Sequence, residues 1–105
     1  MNYTQLRAFH AVATSGGLTK AAAMLNVTQP AITRQLKLLE KEHGVVLFHR
    51  RGHSLELTEA GHNLFSLSQR ISRLMAEAAD LITSEADLNT GNIRVGADSP
   101  YFIMD

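Results

Sequence analysis

A mainly helical fold is what these 105 residues predict: three short helices, a two-stranded hairpin, then one long helix. Three observations carry the expectation. Apolar residues recur at spacings of three and four through the first part of the chain, the stretch "VVLFHRRGHSLELT" switches to alternation around a glycine, and beyond Thr58 a leucine and isoleucine repeat runs on without a break. A hydrophobic content of 45% in a chain of this length buries one modest core, so one compact domain with an appendage is expected.

The first helix is read from "YTQLRAFHAVATSGG", where Leu6, Phe9, Val12 and Ala13 fall on one face and Gly16 and Gly17 supply the stop. The second comes from "LTKAAAMLN", with Thr19 as its expected N-cap and Ala22, Ala23 and Leu25 turned inward, small enough for another helix to come close. Asn26 tolerates a left-handed backbone, Val27 is expected to fill the corner, and Thr28 can cap the next helix. Two helices joined by so short a turn cross steeply, as in a helix-turn-helix.

The third helix, "TQPAITRQLKLLE", carries a proline near its start. With Thr28 as N-cap, Pro30 lies in the first turn, where an amide hydrogen would have had no intrahelical partner and the fixed φ suits the helix. At about 100° per residue, Ile32, Leu36 and Leu39 gather on one side, while Gln29, Pro30, Thr33, Arg34, Lys37 and Lys41 gather on the other. That second side is either a solvated face or a reading face. Gln and Arg can form paired hydrogen bonds to base edges, Thr offers a hydroxyl and a methyl, and a helix N-terminus attracts phosphate.

After Gly44 the alternation of Leu55 and Leu57 with Ser54 and Glu56 reads as one strand of a hairpin whose basic tip holds Arg50, Arg51, Gly52 and His53. Beside the preceding helix such a hairpin is a wing, with arginines placed for the DNA backbone or minor groove. The long helix follows. Leu64, Leu67, Ile71, Leu74, Ala78 and Leu81 repeat at three and four as a dimerisation seam, and a second stripe of Phe65, Met75 and Ile82 leaves a side to pack on the winged domain. Continued to about residue 88 the helix is roughly 45 Å long, more than so small a core covers. "TGNIRVGADSPYFIMD" then suggests one β-strand around Ile93 and Val95.

The net charge of zero hides an asymmetry. Residues 1–58 hold seven Lys and Arg against three Glu, a net +4, and residues 59–105 hold three Arg against seven Asp and Glu, a net −4. The basic half suits contact with phosphate. The absence of cysteine excludes disulfides and thiolate metal sites. No apolar run reaches the ~20 residues that span a bilayer, and the N-terminus lacks the pattern of a signal peptide, so a cytoplasmic protein without membrane contact is expected. His49 and His53 are a poor zinc site beside arginines, His10 fits a partly buried imidazole, and no nucleophile elbow, Walker motif or paired carboxylates occur. No enzyme, metal or cofactor is expected.

The residues "AAAMLNVTQPAITRQLKLLE", "LFHR" and "LTEAG", in this order and spacing, resemble the LysR-type transcriptional regulators over essentially the whole chain. The resemblance implies a winged helix-turn-helix over residues 1–58 that binds promoter DNA, a linker helix over 59–89 that makes a homodimer or higher homo-oligomer, and the start of a C-terminal effector-binding domain over 90–105. On this reading the chain is a truncated regulator, and a small-molecule effector enters only if the C-terminal domain is present. It also implies that Gln29, Pro30, Thr33 and Arg34 approach bases and that Arg50 or Arg51 belongs to the wing. Position 33 departs from the family pattern, Thr standing where Ser is usual, so base preference does not transfer wholesale. The rival from the residues alone is a helical module whose polar face contacts protein.

Overall fold

The computed structural model describes residues 1–90, with side chains through Ala86; the expected strand around Ile93 and Val95 lies outside the described residues. The elements are α1 (Tyr3–Ser15), α2 (Leu18–Leu25), α3 (Gln29–His43), β1 (Phe48–Arg51), β2 (Ser54–Leu57) and α4 (Glu59–Thr90). The described residues divide after Gln69 into two units, Met1–Gln69 and the part of α4 that begins at Arg70. The first contains the three short helices, the hairpin and the first turns of α4.

Local chemistry explains where each helix begins and ends. Asn2 and Gln5 form a capping box on α1: the Asn2 side chain accepts from the Gln5 amide at 2.8 Å, and the Gln5 side chain accepts from the Asn2 amide at 3.2 Å. Gln5 is buried, and its side chain also bonds to Glu42; the N-terminal ammonium first, and Gln5 second, hold the Glu42 carboxyl below the usual carboxylate range. Gly16 ends α1 in the left-handed region, where lacking a Cβ matters.

The start of α2 differs from expectation. Its N-cap is Gly17, which offers no side chain, and Thr19 lies inside the helix, exposed. The helix begins two residues earlier than Thr19 capping requires, which turns Leu18, Ala21, Ala22 and Leu25 inward at i, i+3, i+4 and i+7; Ala21 replaces Ala23, which is exposed. Asn26 adopts the left-handed conformation (φ 58°), with the Asn26 and Val27 amides donating to the carbonyls of Ala23 and Ala22 as a Schellman cap. That cap turns the Val27 side chain outward, 46% exposed, so Val27 does not fill the corner.

Thr28 caps α3 by accepting from the Ala31 amide at 3.2 Å, with Pro30 in the first turn. Ile32, Leu36 and Leu39 are buried with Leu6, Phe9 and Val12 of α1, Ala21 and Ala22 of α2, and Leu47 and Phe48 at the root of the hairpin. The Phe9 and Phe48 rings lie 5.3 Å apart at 44°.

The hairpin pairs Phe48 with Leu57 and Arg51 with Ser54, so the turn is Gly52 and His53, with Gly52 at φ 62°; Arg50 and Arg51 lie on β1 rather than at the tip. A glycine in the first central position suits the twist of a two-residue hairpin turn. Leu55 and Leu57 are half-buried while Ser54 and Glu56 are exposed, the alternation expected from the sequence. The Leu55 amide donates to the Gly16 carbonyl at 3.4 Å, tying the hairpin to the α1–α2 turn.

Thr58 caps α4, its hydroxyl oxygen accepting from the Gly61 amide at 3.0 Å while the hydroxyl donates to Val46 O at 2.7 Å. Its own amide donates to Leu47 O at 3.0 Å. The glycine of "LTEAG" has its reason here: a Cβ on Gly61 would overlap the Leu47 carbonyl oxygen and crowd Leu57. One turn further, Phe65 and the buried Ser68 meet His10 of α1, with the rings of His10 and Phe65 5.5 Å apart. The Ser68 hydroxyl donates to Phe65 O at 2.9 Å, so at 2.8 Å the His10 Nδ1 must be the donor to Ser68 Oγ. Burial pushes the His10 imidazole below its ordinary value.

Candidate nucleic-acid interface

On α3 the face opposite the core is open. Gln29, Pro30, Arg34, Lys37 and Lys41 are exposed, Thr33 is half-buried, and Leu38 borders them as an apolar edge. Burial of Ile32, Leu36 and Leu39 fixes this orientation, because a helix with one face in a core has no freedom to rotate. The six recognition-helix residues singled out from the sequence thus fall together: Thr28 at the cap, Gln29, Pro30, Thr33, Arg34 and Lys37 along the face.

A second, polar cleft adjoins this face. Lys20 of α2, Gln29 of α3, and Arg50 and His53 of the hairpin share its walls with Gly16 and Thr19. Gln29 lines both surfaces and joins them. Arg34, Lys37, Lys41, Lys20 and Arg50 bring five cationic side chains to the two surfaces, and no Asp or Glu lines either. Such a surface attracts a polyanion.

The two wing arginines are not equivalent. Facing residues on paired strands project to the same side. Arg50, opposite Leu55, therefore shares a side with Phe48 and Leu57, and Arg51 shares the other with His49 and Glu56. Arg51 Nε donates to Glu56 Oε1 at 3.2 Å with both side chains well exposed, a pair worth little and readily released. Arg50 is the one that lines the cleft.

Two residues of this region escaped the sequence reading. Lys20 looks like an ordinary solvated lysine until tertiary structure brings it to the same cleft as Arg50. Glu40 accepts from the Leu47 and Phe48 amides at 2.7 and 3.4 Å through one oxygen, holding the root of β1 against α3. No motif marks either.

The residues of the proposed seam are placed as follows. In the first unit Leu64 is half-buried and lines an apolar cleft with Leu39, Val45, Leu47 and Ala60, and Leu67 is 51% exposed. In the second, Ile71 is half-buried, Ala78 is exposed, and Leu74 and Leu81 are 60% and 64% exposed. Among the described residues no helix is long and apolar enough to cross a membrane.

Comparison with known proteins agrees with this geometry. Residues 3–62 match the model of the bacterial regulatory helix-turn-helix protein, lysR family. The chain is 40% identical over 93 residues to a probable RuBisCO transcriptional regulator of Thalassiosira pseudonana, an alignment covering 89% of this chain and 30% of that protein. It is 38% identical over 95 residues to a RuBisCO operon transcriptional regulator of Allochromatium vinosum, covering 90% and 32%. It therefore spans about a third of the length of these curated relatives. Among solved structures it resembles a CbnR_DBD-DNA complex (TM-score 0.70, 42% identity, 82% of this chain and 99% of that one). It also resembles a BenM_DBD/benA site 1 DNA complex (TM-score 0.73, 29% identity, 82% and 100%). Helix-turn-helix, hairpin and long helix thus stand in the order of a known winged reader, and the chain belongs to the LysR family of bacterial regulatory helix-turn-helix proteins.

Proposed function

We propose that this chain is the DNA-reading end of a transcriptional regulator, with α3 in the major groove and the hairpin against the adjoining backbone. The observation that supports this most is the joining of the α3 face to the Lys20–Arg50 cleft through Gln29, five cationic side chains without a carboxylate among the lining residues. Gln29 and Arg34, near the N-terminal end of α3, are the groups able to read base edges; Pro30 and the Thr33 methyl supply apolar contact. Lys20, Lys37, Lys41 and Arg50 are suited to phosphates, which position the protein without reading sequence. The rival, a face for a protein partner, explains less, because a protein-binding face is depleted in Lys at its centre.

Selection of bound sequences from random duplexes tests the proposal. At the selected site Gln29→Ala or Arg34→Ala should cost about 1–3 kcal/mol and relax preference at particular positions, while Arg50→Ala should weaken binding to all sequences and lower the salt slope by roughly one. Equal losses from Gln29→Ala on selected and random DNA would overturn the assignment.

The wider organisation is part of the same reading. Residues 1–58 form the reading head, 59–89 a linking helix whose Leu64 to Leu81 seam meets a second copy, and 90–105 the opening of an effector-binding domain. The exposure of Leu67, Leu74 and Leu81 supports a partner helix, as homodimer or higher oligomer. The third of its relatives' length that the chain spans supports a longer regulator; a place in the cytoplasm and a small-molecule effector bound by the C-terminal domain complete the proposal.

A further inference from the structure

The hairpin is connected to α3 by only a few residues, Gly44 to Leu47, and those residues are held from both sides. On the α3 side Glu40 accepts through its main-chain oxygen from the Gly44 and Val45 amides, and through its carboxylate from Leu47 (2.7 Å) and Phe48 (3.4 Å). On the α4 side Thr58 donates to Val46 O and Leu47 O. The carboxylate is the side-chain partner that ties the root of β1 back to α3. Take it away and the Leu47 amide, at a buried residue, loses its partner, and the hairpin becomes free to pivot about its remaining ties. Hydrogen bonds from amides to an ionised carboxylate are the stronger kind, and one oxygen shared by two successive amides fixes direction as well as distance.

We propose that Glu40 is a positioning residue for DNA: it sets the hairpin relative to α3 so that Arg50 and the Gln29–Arg34 edge meet one duplex together. Glu40 touches no nucleic acid itself. The inference rests on the DNA-reading proposal and adds a claim that can fail alone.

The test uses the 105-residue chain, Glu40→Ala and Glu40→Gln, each with and without Arg50→Ala, on a duplex with one selected half-site. Hydrogen exchange without DNA should show Leu47 and Phe48 losing protection in Glu40→Ala while α1 and α3 keep theirs; unchanged exchange overturns the proposal. In the parent chain Arg50→Ala should cost about tenfold in affinity at low salt and lower the salt slope by about one. In Glu40→Ala the same change should cost less than about twofold, since a misplaced wing has little left to lose. An equal cost in both backgrounds overturns the proposal, as does loss in Glu40→Ala of the base preference set by Gln29 and Arg34. Glu40→Gln keeps an accepting oxygen and should restore part of both the protection and the Arg50 dependence. If the alanine variant does not fold, that glutamine variant carries the comparison at intermediate values, and full independence from Glu40 there overturns it. A parent chain that binds no duplex brings down the DNA-reading proposal itself, whereas normal sequence preference with additive Arg50 and Glu40 effects brings down this one alone.

Discussion

Helix α3 and the part of α4 beyond Gln69 share one periodicity and put it to opposite uses. In α3 the apolar face of Ile32, Leu36 and Leu39 is covered by the chain itself, and the polar face is left free. Beyond Gln69 the apolar residues Leu74, Leu81 and Ile82 stay exposed. An apolar stripe at helical spacing therefore says that something covers it, and only the surrounding structure says whether that is the same molecule. Where the cover is internal, the opposite face becomes available for a ligand.

The sharpest way to break this contrast is to truncate one leucine from each helix. Leu36→Ala should cost about 2–5 kcal/mol of folding stability through the cavity it leaves. Leu74→Ala, measured by denaturant at a dilution where copies are apart, should stay within about 0.5 kcal/mol. Comparable losses would mean that the Leu74 stripe is covered within one chain. Next in size is Leu74→Glu, which would set two carboxylates near each other in the proposed dimer seam. It should leave the helix content intact, shift sedimentation to monomer, and lower affinity for a paired inverted site by about a hundredfold while sparing a single half-site, because the linkage between two reading heads is lost.

Smaller, and confined to the covered side, is the seat of α4 on the hairpin root. Gly61→Ala should destabilise the fold by about 1–3 kcal/mol, since backbone rather than a flexible side chain stands in the way; Gly17→Ala, with nothing near its would-be Cβ, is the matched control. Smallest is the titration of His10. Its folded pKa is depressed below the unfolded 6.5, so the unfolded chain binds more protons just below that pH. Stability should therefore be full above about pH 6.5 and fall as pH drops through the window beneath it. His10→Leu should remove that part of the slope in denaturant titrations at several pH values.

What was legible in the sequence was what neighbours in sequence decide. Thr28 and Pro30 announced the start of α3, Asn26 its left-handed turn, Leu55 and Leu57 their strand, all from chemistry within four residues. The second helix was misread at its start because Thr19 is the better capping residue in isolation, while the packing of Ala21 and Ala22 decides the register. Leu47, Gly61 and Glu40 belong to one arrangement, but Leu47 stands in irregular chain seven positions from Glu40 in α3 and fourteen from Gly61 in α4, and no single period spans the three. The open polar face of α3 was visible as a pattern on one helix. The cleft was not, because Lys20 and Arg50 come to share it only through tertiary structure.

The bare N-terminus of α2 has a kinetic meaning. Helices α1, α3 and α4 each begin on a side chain that closes their first turn, and α2, with eight residues, begins on Gly17, which cannot. A helix that short has little stability in isolation and borrows it from Ala21 and Ala22 against its neighbours. Its amides should thus be the first of the three short helices to exchange with solvent under native conditions, and its formation should come late, after α1 and α3 offer a surface to close upon. The element that props α3 is then also the one whose opening would slacken it, so on the proposed function a phosphate held by Lys20 in the cleft would tighten the fold and the grip in a single event.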